Sequence, residues 1–325
     1  MATMPAALAT ALRQIRCDEI PVPEPTPGMV LVKTRMASIC GSDLHIVYMG
    51  WNAHEFPLPH GHPGHEGLGE VVDGGGTEFA PGDLVLTVPN IWGSKTFAGY
   101  QLIEPHFLLK LPTDVPEGHL LMAQQLGTVV FACRRLPSLL GQTVAVIGQG
   151  SVGLFHDFML RYMGAHRIIA IEPVPARLAA ARAMGVDVAI DVTGRRATEA
   201  VLELTNGEGA DLVIEAVGSV ETLNQSLHMA RPLGKVAAFG LPPTMERVPF
   251  DWDTFFRRRL DIYSVFGAQD EAGLPAFRLA VDFIARGDID MAPFITHRFP
   301  IARVQEAFDL ADSKENGALK VSLTF

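Results

Sequence analysis

The chain has 325 residues, 48% apolar and 19% charged, with a net charge of −10 and a pI of about 5.5. That length and balance predict an ordinary globular protein of two domains. They exclude a polyanion-binding surface, because neutralising phosphates takes clustered Lys and Arg.

The one dense basic run, Arg257-Arg258-Arg259, reads either as a small phosphate patch or as a solvated helix end. Three widely spread cysteines, Cys17, Cys40 and Cys133, argue against a disulfide framework and for a reducing compartment. The N-terminal MATMPAALATAL lacks the basic lead and long apolar core of a signal peptide. No apolar run reaches the roughly 18–20 residues of a membrane helix. The expectation is a cytoplasmic protein with neither nucleic acid nor membrane as partner.

Residues 1–110 read as β-rich, with short apolar runs at Met29–Thr34, Gly69–Val72 and Leu84–Val88 separated by Pro and Gly. Many short strands at close spacing predict a barrel-like or sandwich-like fold. Within this part, Cys40 is followed by Gly41, Ser42, Asp43 and His45, and a histidine cluster, His60, His62 and His65, ends at Glu66. A thiol, imidazoles and a carboxylate gathered on one loop-rich segment are the ligand types zinc takes. A lone Cys is more often buried and inert; here the second cluster points to ligation by Cys40 and His65. His60 and His62, set between prolines and glycines, read as loop residues. His54, His106, His119 and His156 carry no such signal.

After Leu111-Pro112 the texture changes, and 117–140 reads as helix. The stretch TVAVIGQGSVGLFHDFMLRYMGAHRIIAIEP (143–173) is an apolar strand, a glycine turn, a helix-length run and a second apolar strand. Gly148, Gly150 and Gly153, with Ser151 and Val152 between, fit GxGxxG in the strand-to-helix context that the motif needs for binding a pyrophosphate. Glu172 ends the second strand, where its carboxylate suits the ribose hydroxyls of NAD and repels the 2′-phosphate of NADP. Arg177, a helical turn later, is the nearest base. Helical character at Arg177–Met184 and Glu221–Met229, with strands at Val188–Ile190, Asp211–Ala216 and Lys235–Gly240, predicts a doubly wound parallel sheet. Helices over Ala276–Arg286 and Ile301–Ala311 and a last strand, LKVSLTF (319–325), close the chain and can return to the first domain.

CGSDLH (40–45), GHEGLGEVV (64–72), FAPGDLV (79–85), VAVIGQGSVG (144–153), GADLVIEAVG (209–218), GKVAAFG (234–240) and ITHRFP (295–300) resemble the zinc-dependent medium-chain alcohol and polyol dehydrogenases. The resemblance runs from about residue 25 to the C-terminus. It implies an α/β architecture: a GroES-like catalytic domain (1–134 and 267–325) interrupted by a Rossmann domain (135–266), with zinc and nicotinamide meeting in a cleft. It further implies Cys40 and His65 as zinc ligands, Glu66 as neighbour or direct ligand, Ser42 and His45 as proton relay, and Lys320 near the cofactor pyrophosphate.

Two departures stand out. Between Pro89 and Tyr100 there is no cysteine, so the structural-zinc lobe of many relatives is missing and one zinc per chain is expected. At the third protein ligand the family's Cys, Glu or Asp is replaced by Gln124, beside Gln125. This amide either binds weakly through its carbonyl, yields to Glu66 or water, or bonds a substrate hydroxyl. The missing lobe and the Glu66 pattern lean towards a polyol, sugar or amino-alcohol substrate, with Tyr48, Trp51, Asn52 and Trp92 as candidate pocket residues. Oxidation of a secondary alcohol on a larger biosynthetic intermediate is an alternative, as is a weakly catalytic NAD-binding sensor or scaffold. The Cys40, His65 and Glu66 set argues against a zinc-free quinone reductase. Assembly as a homodimer or homotetramer follows from the resemblance alone.

Overall fold

The computed structural model describes residues 2–51, 55–242, 244 and 246–325, and the chain divides into two compact units, 1–128 with 267–325, and 129–266. The first break falls inside a helix, a few residues before the expected boundary at 134.

The first unit contains β1 (Thr3–Ala11), β2 (Gln14–Pro21), β3 (Val30–Ser38), α1 (Gly41–Met49), β4 (Gly67–Asp73), β5 (Leu84–Thr87), β6 (Tyr100–Ile103) and β7 (Leu108–Lys110). Two helices, α2 (Glu117–Leu121) and α3 (Ala123–Cys133), form where one long helix is expected. The second unit holds β8 (Thr143–Ile147), α4 (Ser151–Tyr162), β9 (Arg167–Ile171), α5 (Pro175–Ala183), β10 (Val188–Ile190), α6 (Gly194–Leu204) and β11 (Ala210–Glu215). It continues through α7 (Val220–Met229), β12 (Ala230–Ala238), α8 (Trp252–Arg258) and β13 (Asp261–Ser264). The chain then re-enters the first unit as α9 (Pro275–Ala285), β14 (Ile295–Pro300), α10 (Val304–Ser313) and β15 (Lys320–Thr324).

In the first unit one sheet runs β14-β15-β3-β4-β5-β7, with β6 also paired to β3 and β1–β2 forming a separate antiparallel hairpin. The terminal strand β15 lies antiparallel to β3, Leu323 opposite Ala37, and parallel to β14. The core beneath it joins Ile39, Ile46 and Val47 to Phe97, Val304, Phe308 and Leu323, all buried.

The second unit is a parallel sheet in the order β10-β9-β8-β11-β12-β13. Counting its strands from β8, that is 3-2-1-4-5-6, the doubly wound dinucleotide-binding order. Val144, Val146, Ile168, Ile169, Val213 and Ile214 are fully buried, as strands covered by helices on both faces require. The arginine run ends α8: Arg257 pairs with Asp253 and Arg258 donates to the Ala230 carbonyl, so it is a helix terminus.

Candidate metal centre

The donors converge because four chain segments end together. β3 runs out at Ser38, and Cys40 then adopts extended backbone (φ −96°, ψ 160°) as the N-cap of α1. Asp43, in the first turn, accepts the Cys40 backbone N–H at 2.8 Å, one arm of a capping box that fixes the cysteine. Gly50, left-handed at φ 73°, terminates the helix. Ala37 pairs with Gly67 at the start of β4, and Ser38 N–H donates to the Glu66 carbonyl at 3.0 Å, which fixes Glu66 beside the cysteine. The Ile39 N–H bonds the Val321 carbonyl at 2.9 Å, bringing the first residue of β15 to the same place.

Ligand atoms of Cys40, His65 and Glu66 lie within 4.8 Å of one another, the one such acid, cysteine and histidine cluster among the described residues. His65 is 9% exposed; its Nδ1 faces the fully buried Asp43 carboxylate at 3.0 Å, leaving Nε2 3.3 Å from the Ser42 hydroxyl. Burial alone would lower the His65 pKa, but the Asp43 carboxylate outweighs it and holds it well above the ordinary value. A carboxylate on Nδ1 fixes the tautomer that offers Nε2 to a metal.

Glu66 is 1% exposed and accepts from the Ser38 hydroxyl, and Lys320 Nζ sits 2.5 Å from its Oε2. Burial pushes the Glu66 carboxyl up, but the Lys320 ammonium more than offsets it and holds the group below its usual range. Lys320 is a buried counter-ion of Glu66, because the β15–β3 pairing brings the start of β15 to this carboxylate. His45, in α1, is lowered by burial, and its Nδ1 is buried without a partner among the described residues. Gln124 and Gln125 are buried at the start of α3, each 7% exposed.

Tyr48 packs on Phe308 and donates to Asp309 at 2.6 Å, so it belongs to the core. Trp51, buried, lies 5.1 Å from the half-exposed Trp92 ring. Asn52 and His54 lie outside the described residues. His60 faces Asp18, and His62 faces the Ser94 carbonyl. His156 is buried in α4, in the second unit.

In the second unit Gly148 takes φ +91°, its N–H bonded to the Ile171 carbonyl at 2.9 Å. A Cβ on Gly153 would meet the Gly148 carbonyl oxygen at 2.0 Å, whereas one on Gly150 would meet nothing within 4 Å. The third glycine is thus demanded by packing, and the second leaves the open approach that a pyrophosphate needs. Ser151 and Val152 open α4, whose N-terminus supplies N–H donors there. Glu172 is buried and accepts from Gln149 N–H at 2.8 Å and Val174 N–H at 3.0 Å. Arg177 is half-buried in the first turn of α5.

The family model for the alcohol dehydrogenase GroES-like domain matches residues 26–113, and that for zinc-binding dehydrogenase matches 151–286. Among relatives, a sorbitol dehydrogenase of Bacillus subtilis is 26% identical across 98% of this chain and 96% of its own. An L-threonine 3-dehydrogenase of Pyrococcus horikoshii is 29% identical across 92% of each chain. The solved structure of an alcohol dehydrogenase from Thermus sp. ATN1 superposes with a TM-score of 0.83 at 27% identity, over 99% of both chains. The chain belongs to the zinc-dependent medium-chain alcohol and polyol dehydrogenases.

It is therefore an oxidoreductase whose cofactors are zinc and a nicotinamide dinucleotide. The donor set of this dehydrogenase fits the ion: thiol, imidazole and carboxylate converge, and the imidazole is oriented by a buried acid. The dinucleotide fits the open space over Gly150. Sequence reasoning misses two residues of the centre. Asp43 announces itself only through its place three residues after a helix-capping cysteine, and Ser38 carries no signal at all.

Proposed function

We propose that this dehydrogenase transfers hydride reversibly between a secondary alcohol of the polyol, sugar or amino-alcohol type and NAD, at a zinc ion held by Cys40 and His65. The observation that carries the proposal is the meeting of Cys40, His65 and Glu66 within 4.8 Å, with the Ser42 hydroxyl 3.3 Å from His65 Nε2. Glu66 is the third donor, and Gln124 either adds its carbonyl or bonds a substrate hydroxyl. When bound, zinc supplies the Lewis acidity that lowers an alcohol's pKa, and the nicotinamide the hydride acceptor.

The chain's own residues then handle the proton and the charge. Ser42 Oγ takes the alcohol's proton, and His45, which burial keeps neutral and therefore able to accept, passes it outward. Lys320 and Ser38 keep Glu66 anionic and in place. Asp43 holds His65 with Nε2 towards Ser42.

Glu172 supports NAD over NADP, since a buried carboxylate at the second strand's end repels a 2′-phosphate. The polyol and amino-alcohol relatives support a secondary-alcohol substrate. Three free cysteines support a reducing, cytoplasmic setting, and among the described residues no helix is long and apolar enough to cross a membrane. Assembly as a homodimer or homotetramer is proposed on family resemblance.

The test is NAD reduction by the zinc-loaded protein across a panel of polyols, sugars and amino alcohols. Turnover is expected with at least one class, and Cys40→Ser is expected to lose both zinc and turnover while still binding NAD. Full turnover by the zinc-free variant would refute the assignment.

A further inference from the structure

Helix α8 of the second unit carries a surface that no step above uses. Its inner side is anchored: Phe255 packs against the core that contains Val236 and Leu260, and Arg258 donates to the Ala230 carbonyl. Its outer side is not. Trp252 is 64% exposed and Phe256 67%, although both are large and apolar. One turn apart, their rings stack with centroids 6.4 Å apart and planes 18° from parallel. Phe250 extends the group, its ring 6.5 Å from that of Trp252. Next to the aromatics, also one turn apart, Asp253 and Arg257 form an exposed ion pair, Oδ1 to Nε 2.6 Å. Successive helical positions lie about 100° apart, so these four residues occupy one contiguous side of α8.

Packing within the chain does not account for this side. A solvated helix position is filled at no cost by Lys, Glu or Gln, which are also better helix formers than Trp or Phe. Single exposed apolar residues are ordinary, but a cluster of aromatics marks a surface that another molecule covers. Trp, Phe and Arg are the types enriched at the centres of protein interfaces.

The charges identify the occupant. The acid of the pair lies one turn nearer the start of α8 than the base. Two such helices laid antiparallel about a two-fold axis bring the acid of each copy to the base of the other, and the Trp of each to the Phe of the other. A uniformly acidic or basic partner would instead meet its own sign at one end. Local neutrality also matters here, because chains of net charge −10 repel one another elsewhere on their surfaces.

We propose that the outer side of α8, formed by Trp252, Asp253, Phe256 and Arg257, is a two-fold contact between copies of this chain. The inference rests on the homo-oligomer proposed above and assigns it a surface.

The experiment is sedimentation velocity of the intact protein over a dilution series, with far-ultraviolet circular dichroism to show that each variant is folded. Trp252→Glu/Phe256→Glu is expected to halve the mass of the assembly. Asp253→Arg and Arg257→Asp each set like charges together, and each is expected to raise the Kd of association at least tenfold. Mixed in equal amounts, those two variants present opposite signs at both ends, and the Kd is expected to return towards that of the unsubstituted protein. Unchanged mass in Trp252→Glu/Phe256→Glu would overturn the proposal while leaving the homo-oligomer standing. A mixture that associates no better than its components would overturn the antiparallel contact. An unsubstituted protein that sediments as a monomer throughout would overturn the homo-oligomer itself.

Discussion

Lys320 and Glu66 form a buried ion pair, 2% and 1% exposed, in which each charge is tolerated because the other is there. Removing one partner of such a pair costs about 3–5 kcal/mol, because the remaining charge stays buried and unanswered. Lys320→Met is therefore expected to lower the unfolding free energy of the metal-free protein by about that amount. Adding Glu66→Gln should recover most of the loss, and urea denaturation of the three proteins measures both steps. A single variant as stable as the parent would mean that Glu66 relaxes to water or takes up a proton at no cost. At this scale the donors were legible: a thiol, an imidazole and a carboxylate in CGSDLH and GHE speak through their own chemistry. Their supports were not. Asp43 acts through the far nitrogen of His65, and Lys320 is a basic residue whose partner Glu66 only strand register reveals.

At the scale of elements, α4 binds its strand so closely that substitutions in it have defined consequences. The Gly153 contact with the Gly148 carbonyl leaves no room for a methyl, so Gly153→Ala should push α4 off β8 and weaken NAD binding at least tenfold by titration. His156, on the same helix, is pushed down to about 4 by burial, against about 6.5 for an exposed histidine. Between those values the unfolded chain binds a proton that the folded chain refuses. Stability is thus complete above about pH 6.5 and falls as pH drops towards 4, by about 1.4 kcal/mol per unit for this one group. His156→Gln should flatten that slope relative to the parent in urea midpoints measured at pH 7, 6 and 5. The opposing contribution of the Asp157 carboxyl, which burial raises well above the ordinary value, is common to both proteins and cancels in the difference; equal slopes would refute the assignment. Five of the six strands of the second unit were legible as short apolar runs; the edge strand β13, DIYS, was not, because its alternating polar residues and exposed ends give no such run. The β1–β2 hairpin was not: TMPAALATA has little intrinsic strand preference and becomes a strand because Ala6, Ala7 and Ala9 pack fully buried against their neighbours. Helix α1 also escaped notice, since its first turn, Gly-Ser-Asp, reads as a turn until Cys40 is seen to cap it.

For the whole molecule, the doubly wound sheet and the return of the last strand to the first sheet were foreshadowed by the changing rhythm of the sequence. Metal content follows from the same inventory. The chain has three cysteines, and Cys17 and Cys133 fall outside the one cluster of acid, cysteine and histidine donors among the described residues. The purified protein is therefore expected to hold one zinc per chain by elemental analysis, and Cys40→Ser close to none. The donors are held by protein contacts independent of the ion: Asp43 on His65, Lys320 and Ser38 on Glu66, the Asp43 carboxylate on the Cys40 N–H. Chelation should accordingly abolish turnover and leave far-ultraviolet circular dichroism unchanged, unlike small metallodomains that unfold without their ion. A ligand present at about a thousand times its Kd stabilises the folded state by about 4 kcal/mol, so the melting temperature should fall by several degrees on chelation and return when zinc is restored. Loss of secondary structure on chelation would show instead that the ion builds the site, and that Asp43 and Lys320 only follow it into place.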